Sequence, residues 1–183
     1  MKMLVISTTF DKPSVERINR LWETVFSQTS LLSKFTDPTP HVSLLMGDFQ
    51  DGTLLEPLLR DIAKQHRPFF IHCAGLAMFT GTDPVLYVNM VRSPALSRLH
   101  SAVWAALAGA GTDIRPHFAP QAWTPHLTIG WSGDTESMAE GVGLLADQPI
   151  DFALRLDAFT LLYEDEPEIQ TRVPLDEKPS LQG

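Results

Sequence analysis

Thr124-Pro125-His126-Leu127-Thr128-Ile129 has a near copy earlier in the chain, Thr39-Pro40-His41-Val42-Ser43-Leu44. Both read Thr-Pro-His-apolar-hydroxyl-apolar. The chain has 6 histidines, and the other four (His66, His72, His100 and His117) lack a hydroxyl residue two positions on, so the pattern marks two places rather than histidine in general. A residue before proline is pushed toward extended backbone, and β-branched or Leu side chains follow each histidine, which predicts a strand at both places. Side chains two apart on a strand point the same way. His41 therefore shares a face with Ser43, and His126 with Thr128, while Val42, Leu44, Leu127 and Ile129 turn to the other face.

Outward from these strands, the order of elements repeats. Leu4 to Phe10 reads as a strand, and Val15, Ile18, Trp22, Val25 and Phe26 recur at helical spacing behind Asp11-Lys12-Pro13. The first motif strand runs from His41 to Phe49, a helix carries Leu55, Leu58, Leu59 and Ile62, and Phe69 to Phe79 is a third strand. After the break at Gly81-Thr82-Asp83-Pro84 come a strand from Val85 to Val91 and a helix capped by Ser93-Pro94. The second motif strand, about Trp123 to Trp131, then leads to a helix from Thr135 and a strand from Ile150 to Leu156. Phe159 to Tyr163 and Ile169 to Leu175 are expected to close as a terminal hairpin around the acidic run Glu164 to Glu168. The expected fold is thus α+β and bilobal. Two pseudo-symmetric lobes, about 1–80 and 84–175, each read strand, helix, motif strand, helix, strand, with antiparallel sheets facing a central cleft and a loose tail at 176–183. Such an arrangement brings His41 and His126 to one site.

Composition narrows the setting. With 183 residues, 44% hydrophobic and 20% charged, the chain can bury one substantial core and reads as a soluble globular protein. No run approaches bilayer-spanning length, and the N-terminal apolar run is too short for a signal peptide, so no membrane partner is expected. A lone cysteine, Cys73, excludes an internal disulfide and makes the cytoplasm the expected compartment. A net charge of −8 argues against a grip on long DNA or RNA through phosphates, which needs a basic stripe. A small phosphorylated ligand in a local pocket remains compatible, and a monomer is expected.

Histidine titrates nearest neutrality, so a facing pair can hold one neutral base and one protonated acid together. A hydroxyl beside each can hydrogen-bond a phosphate oxygen. The substrate that suits this set is a phosphodiester, above all a strained cyclic one. A metal centre fits poorly, since no His-x-His, His-x-x-x-His or His-Glu pair supplies adjacent ligands and Cys73 has no partner in sequence. Neither Ser43 nor Cys73 sits in a nucleophile-elbow motif. No cofactor is expected. His66, His72, His100 and His117 are read as structural. Trp123, Trp131, Tyr87, Phe10 and Tyr163 are read as core before base-stacking groups, with Trp131 placed by strict alternation on the face of Leu127 and Ile129. Arg115 and Arg172 are read as surface residues first and phosphate anchors second.

The paired motifs resemble the two-histidine (2H) phosphoesterase superfamily, which is defined by two His-apolar-Ser/Thr-apolar motifs in a bilobal fold. The branch most similar is that of bacterial 2'-5' RNA ligases and cyclic phosphodiesterases, and the resemblance extends to Asp83-Pro84-Val85-Leu86-Tyr87-Val88 and the helix around Leu96 and Leu99. It implies catalytic roles for His41 and His126, phosphate contacts for Ser43 and Thr128, and hydrolysis of a 2',3'-cyclic phosphate on a nucleotide or short RNA end, with 2'-5' ligation as the reverse reaction. Gly130-Trp131-Ser132 stands where many ligase-branch members carry an arginine. The alternatives are a nucleotide or RNA-end binder that does not turn its ligand over, and a phosphodiesterase for ADP-ribose cyclic phosphate or 2'-5' oligonucleotides.

Overall fold

The computed structural model describes residues 2–32, 39–49, 54–132, 134–163 and 169–177. The chain runs β1 (Lys2–Phe10), α1 (Lys12–Gln28), β2 (His41–Phe49), α2 (Leu55–Ala63), β3 (Phe69–Phe79), β4 (Val85–Met90), α3 (Pro94–Leu107), β5 (His126–Trp131), α4 (Thr135–Ala146), β6 (Asp151–Tyr163) and β7 (Ile169–Pro174). This is the expected α+β order. The helix starts follow the local rules: Asp11, Ser93 and Asp134 each accept a hydrogen bond from the main chain three residues on, and proline opens α1 and α3 where its missing N–H costs nothing.

All the strands join one antiparallel, seven-stranded sheet in the order β2-β1-β6-β3-β4-β5, with β7 on β6. The last strand of each half crosses to the other: β6 pairs with β1, and β3 with β4. The result is two matching triplets, β2-β1-β6 and β5-β4-β3, fused where Phe69 to Ala74 pair with Leu156 to Asp151. The two motif strands close the two ends of the sheet order. A single apolar cluster lies on the face away from the histidines, uniting Ile18 and Val25 of α1, Leu55 and Leu59 of α2, Leu96, Leu99 and Val103 of α3, and Met138 and Leu145 of α4 with Val42, Leu44, Leu127 and Ile129 of the motif strands.

Three differences from the sequence reading have local causes. The strand from Ile150 and the hairpin strand from Phe159 are one strand, β6, because a bulge at Asp157 lets it change direction without breaking; Thr9 stands opposite Ala158 but Phe10 opposite Leu156. β5 begins at His126, later than expected, since Trp123 to Pro125 follow a turn in which Trp123 N–H bonds Ala119. Asp176, where the tail was expected to loosen, still donates its N–H to the carbonyls of Ala63 and His66. The acidic run Glu164 to Glu168, most of the loop before Pro40, and 178–183 lie outside the described residues.

Candidate active site

Each motif histidine is fixed by its own strand entry. His41 Nδ1 lies 2.7 Å from the Thr39 carbonyl, and His126 Nδ1 lies 2.8 Å from the Thr124 carbonyl. A carbonyl only accepts, so both Nδ1 atoms carry the proton and both Nε2 atoms are left to react. The proline between them sets the extended backbone that brings carbonyl and ring together. In the first half Thr9, opposite His41 on β1, reinforces this by donating its hydroxyl to Pro40 O at 3.0 Å.

The register then repeats a second device. Ser7 stands opposite Ser43 but Ile6 opposite Leu45, so Leu44 is an extra residue; Tyr87 stands opposite Thr128 but Leu86 opposite Gly130, so Ile129 is extra. Both bulges fall three residues after a motif histidine. Directly opposed residues share a face. Past the bulge, Met46 therefore returns to the histidine face, and so does Trp131, which stands opposite Val85. This corrects the placement of Trp131: strict alternation assigns it to the face of Leu127, and the bulge reverses that parity.

Both motif strands are also held from the opposite half. Trp22 of α1 donates its indole N–H to Thr128 O at 3.1 Å, and Trp123, in the loop before β5, donates to Ser43 O at 2.9 Å. The carbonyl of the hydroxyl residue is thus bound by a tryptophan in each case. Behind β2, the fully buried His100 approaches the bulge carbonyl of Leu44 through Nε2 (3.1 Å) and stacks flat on Trp123, with centroids 3.9 Å apart. Burial pushes its pKa down to about 4, so it sits in the core as a neutral donor, as the structural reading of that residue expects.

Ser43, His126 and Thr128 line one cavity of about 430 Å³, with Met46, Phe79, Val85, Phe118, Ala122, Trp123 and Thr124. His41 is not on that lining. It is close enough, however, for its charge to act on His126: burial lowers the pKa of His126 most, and the positive charges of His41 and His117 lower it further. The His41 pKa is also lowered, by burial, against the raising effect of its bond to Thr39. Phe79 meets the His126 ring edge-on at 4.9 Å, and Tyr87 lies 5.3 Å from it. The structure therefore places three of the four sequence candidates, Ser43, His126 and Thr128, on one cavity, with His41 near enough for its charge to reach His126, and adds two residues that the sequence reading passed over: Phe79, which belongs to no motif, and His117, which lacks the following hydroxyl. Arg172 pairs with Asp157 at 2.8 Å, and His72 pairs with Asp151 at 2.9 Å. Among the described residues no group of three or more His, Cys, Asp or Glu side chains is gathered as a metal site would need.

Residues 10–168 match the model of the 2'-5' RNA ligase superfamily, a span that holds both motif strands, the four helices and β3, β4 and β6. The chain belongs to this superfamily. Among its relatives, a protein of Bacillus cereus (strain B4264) named as a phosphoesterase is 28% identical over 130 residues, covering 69% of this chain and 72% of the relative. One of Bacillus thuringiensis (strain Al Hakam), named likewise, is 27% identical over the same length. Similar solved structures include TT0787 of Thermus thermophilus (TM-score 0.63, 15% identity, 94% of this chain and 97% of that one) and E. coli LigT complexed with 3'-AMP (TM-score 0.56, 14% identity, 96% and 95%). Kluyveromyces marxianus Usb1 is a further one (TM-score 0.52, 12% identity, 95% and 98%). At these identities the structures establish a shared 2H phosphoesterase fold, and superfamily membership together with the relatives' names supports a phosphoesterase role. No helix among the described residues is long and apolar enough to cross a membrane.

Proposed function

We propose that this protein is a metal-independent phosphodiesterase that opens 2',3'-cyclic phosphates on nucleotides or short RNA ends. The observation that carries the proposal is the matched locking of two electrostatically coupled histidines, each with Nδ1 tied to the carbonyl two residues before it and Nε2 without a hydrogen-bond partner among the described residues. Coupling of this kind disfavours a second proton once one histidine carries the first, so that one ring can act as base while the other acts as acid. In the cycle, His126 Nε2 takes a proton from water as the water oxygen bonds to phosphorus. The bond from phosphorus to the 3' oxygen breaks, and His41 Nε2 protonates that oxygen, leaving a 2'-phosphate. His126 is assigned the base because two neighbouring positive charges oppose its protonation. Ser43 and Thr128 donate to the non-bridging oxygens as charge builds on them. With a 5'-hydroxyl in place of water as the nucleophile, the same forward steps form a 2'-5' linkage.

LigT has been crystallised with 3'-AMP, and Usb1 with uridine monophosphate. A nucleotide likewise suits this cavity, whose volume lies in the range of small-ligand sites and whose walls beyond the hydroxyls and the two histidines are mostly apolar. The test is incubation of the purified protein with 2',3'-cyclic nucleotides in the presence of a chelator, followed by phosphorus NMR. The cyclic phosphate resonance is expected to give way to a 2'-phosphomonoester. Saturable binding with no phosphomonoester signal, across a panel that includes ADP-ribose cyclic phosphate and 2'-5' oligonucleotides, would make the protein a binder instead.

A further inference from the structure

His117 lies outside both motifs, yet it lines the same cavity as Ser43, His126 and Thr128. It is held there by the main chain rather than by chance. Thr112 and Asp48 exchange both backbone hydrogen bonds at 2.8 Å, and Arg115 N–H donates to Met46 O at 2.9 Å, so the segment before His117 is fastened along β2 itself. Trp123, on the far side of the same loop, is anchored to Ser43 O. The segment is therefore referenced to the strand that carries His41 and Ser43. The His117 ring rests on Phe118 at 4.5 Å and is exposed on its other side, and among the described residues no hydrogen bond occupies either ring nitrogen. Two residues before it stands Arg115, whose guanidinium is only loosely met by Asp113 at 3.7 Å and whose charge is felt at His117.

Resting on the phosphodiesterase reading, we propose that His117, backed by Arg115, forms a second anion subsite that binds a phosphate other than the one that reacts. In a chain of net charge −8, this pinned loop brings a guanidinium and an imidazole donor without a hydrogen-bond partner among the described residues to the side of the reactive cavity. The ligand chemistry such a pair recognises is a phosphate oxygen, which takes an N–H donor and a nearby cation together. The substrate class is then a nucleotide or RNA end that carries a further phosphate next to the cyclic one, as a 5'-phosphorylated nucleoside or the last residue of an oligonucleotide does.

The test compares paired ligands. A hydrogen bond to a charged group is worth about a tenfold factor in affinity. Wild-type protein is therefore expected to prefer a 5'-phosphorylated 2',3'-cyclic nucleotide over its 5'-hydroxyl counterpart by about tenfold in kcat/KM, and to bind adenosine 2',5'-bisphosphate about tenfold more tightly than adenosine 2'-monophosphate by calorimetry. His117→Ala should bring both ratios close to one, and His117→Arg, which supplies N–H donors in its place, should restore them. If wild type hydrolyses neither cyclic substrate, the phosphodiesterase reading fails while the calorimetric ratio still judges the subsite. Equal binding of the mono- and bisphosphate by wild type, or a ratio that His117→Ala leaves in place, overturns the proposal. A change in base preference without a change in the phosphate ratio does so too, since it would assign His117 to the base.

Discussion

The two halves of the sheet present the same backbone and different surroundings. β2 and β5 agree in the ring-to-carbonyl bond, in the bulge three residues later, and in the tryptophan that reaches across to the carbonyl of the hydroxyl residue. They differ in what lies beside them on the histidine face. In register with Ser43 come Ser7, Thr160 and Arg172, a polar row in which Ser7 Oγ and Thr160 Oγ1 are buried without a partner among the described residues. In register with Thr128 come Tyr87 and Ala77, and Phe79 joins Tyr87 around the His126 ring. Main-chain rules copy geometry faithfully, because they depend on a proline and a carbonyl; the electrostatic setting depends on side chains that have diverged. Burial lowers the pKa of both histidines, and at His126 alone the charges of His41 and His117 lower it further. One fold motif used twice thus sets two histidines in unlike surroundings.

The largest expected effect breaks this comparison directly. His41→Ala and His126→Ala are each expected to lower kcat by about 10²–10⁴-fold, the range for a general acid or base. The pH profile sharpens it. Burial lowers both pKa values below the ordinary 6.5. A base of lowered pKa stays competent further into acid, and an acid of lowered pKa loses its proton sooner on the alkaline side. The bell for kcat/KM should therefore centre below pH 6.5, and the bell for kcat should sit higher, because a bound phosphate anion restores affinity for the proton. His126→Ala should flatten the acidic limb and His41→Ala the alkaline limb. Full activity in either variant, or the opposite assignment of limbs, ends the division of labour between the halves.

The next effect concerns a support that only β2 has. His100 is neutral in the core with its pKa near 4 against an ordinary 6.5. Above pH 6.5 the folded and unfolded chains are both neutral at this residue, so it adds no pH dependence. Between 6.5 and about 4 the unfolded chain takes up a proton that the folded chain resists, and stability falls by roughly 3 kcal/mol over that window. Urea unfolding at a series of pH values should show this loss, and His100→Asn, which keeps a donor but does not titrate, should remove that share of it. An identical slope in wild type and variant would falsify the assignment.

Much of this site is legible in the residues alone. The order of the elements, the bounds of β2 and β3, and the placement of His41 with Ser43 and His126 with Thr128 all follow from rules that act over a few residues. What is not legible acts over longer range. The exchange of third strands between halves depends on which edges meet in space, and nothing within Phe69 to Phe79 announces it. The bulge that returns Trp131 to the cleft face is visible only in pairing register, although the equal spacing of Leu44 and Ile129 after each histidine could have suggested that a break in alternation in one half implies one in the other. His117 escaped because it reaches the cavity through a loop docked on β2, with no periodicity to reveal it.

The smallest effect tests whether the two tryptophan supports are equal. Trp22→Phe and Trp123→Phe remove the same indole N–H and nearly the same volume, so their difference isolates the surroundings. Both indoles are buried and both bonds are part-buried, so losing the N–H by itself costs about 1 kcal/mol in either variant. Trp123 also stacks on His100, so its replacement disturbs a flat ring contact as well. The expected loss there is about 2 kcal/mol. Denaturation midpoints of the two variants measure the difference. If Trp123→Phe costs no more than Trp22→Phe, the support behind β2 is no stronger than that behind β5, and the asymmetry of the two halves is confined to the side chains around the histidine rings.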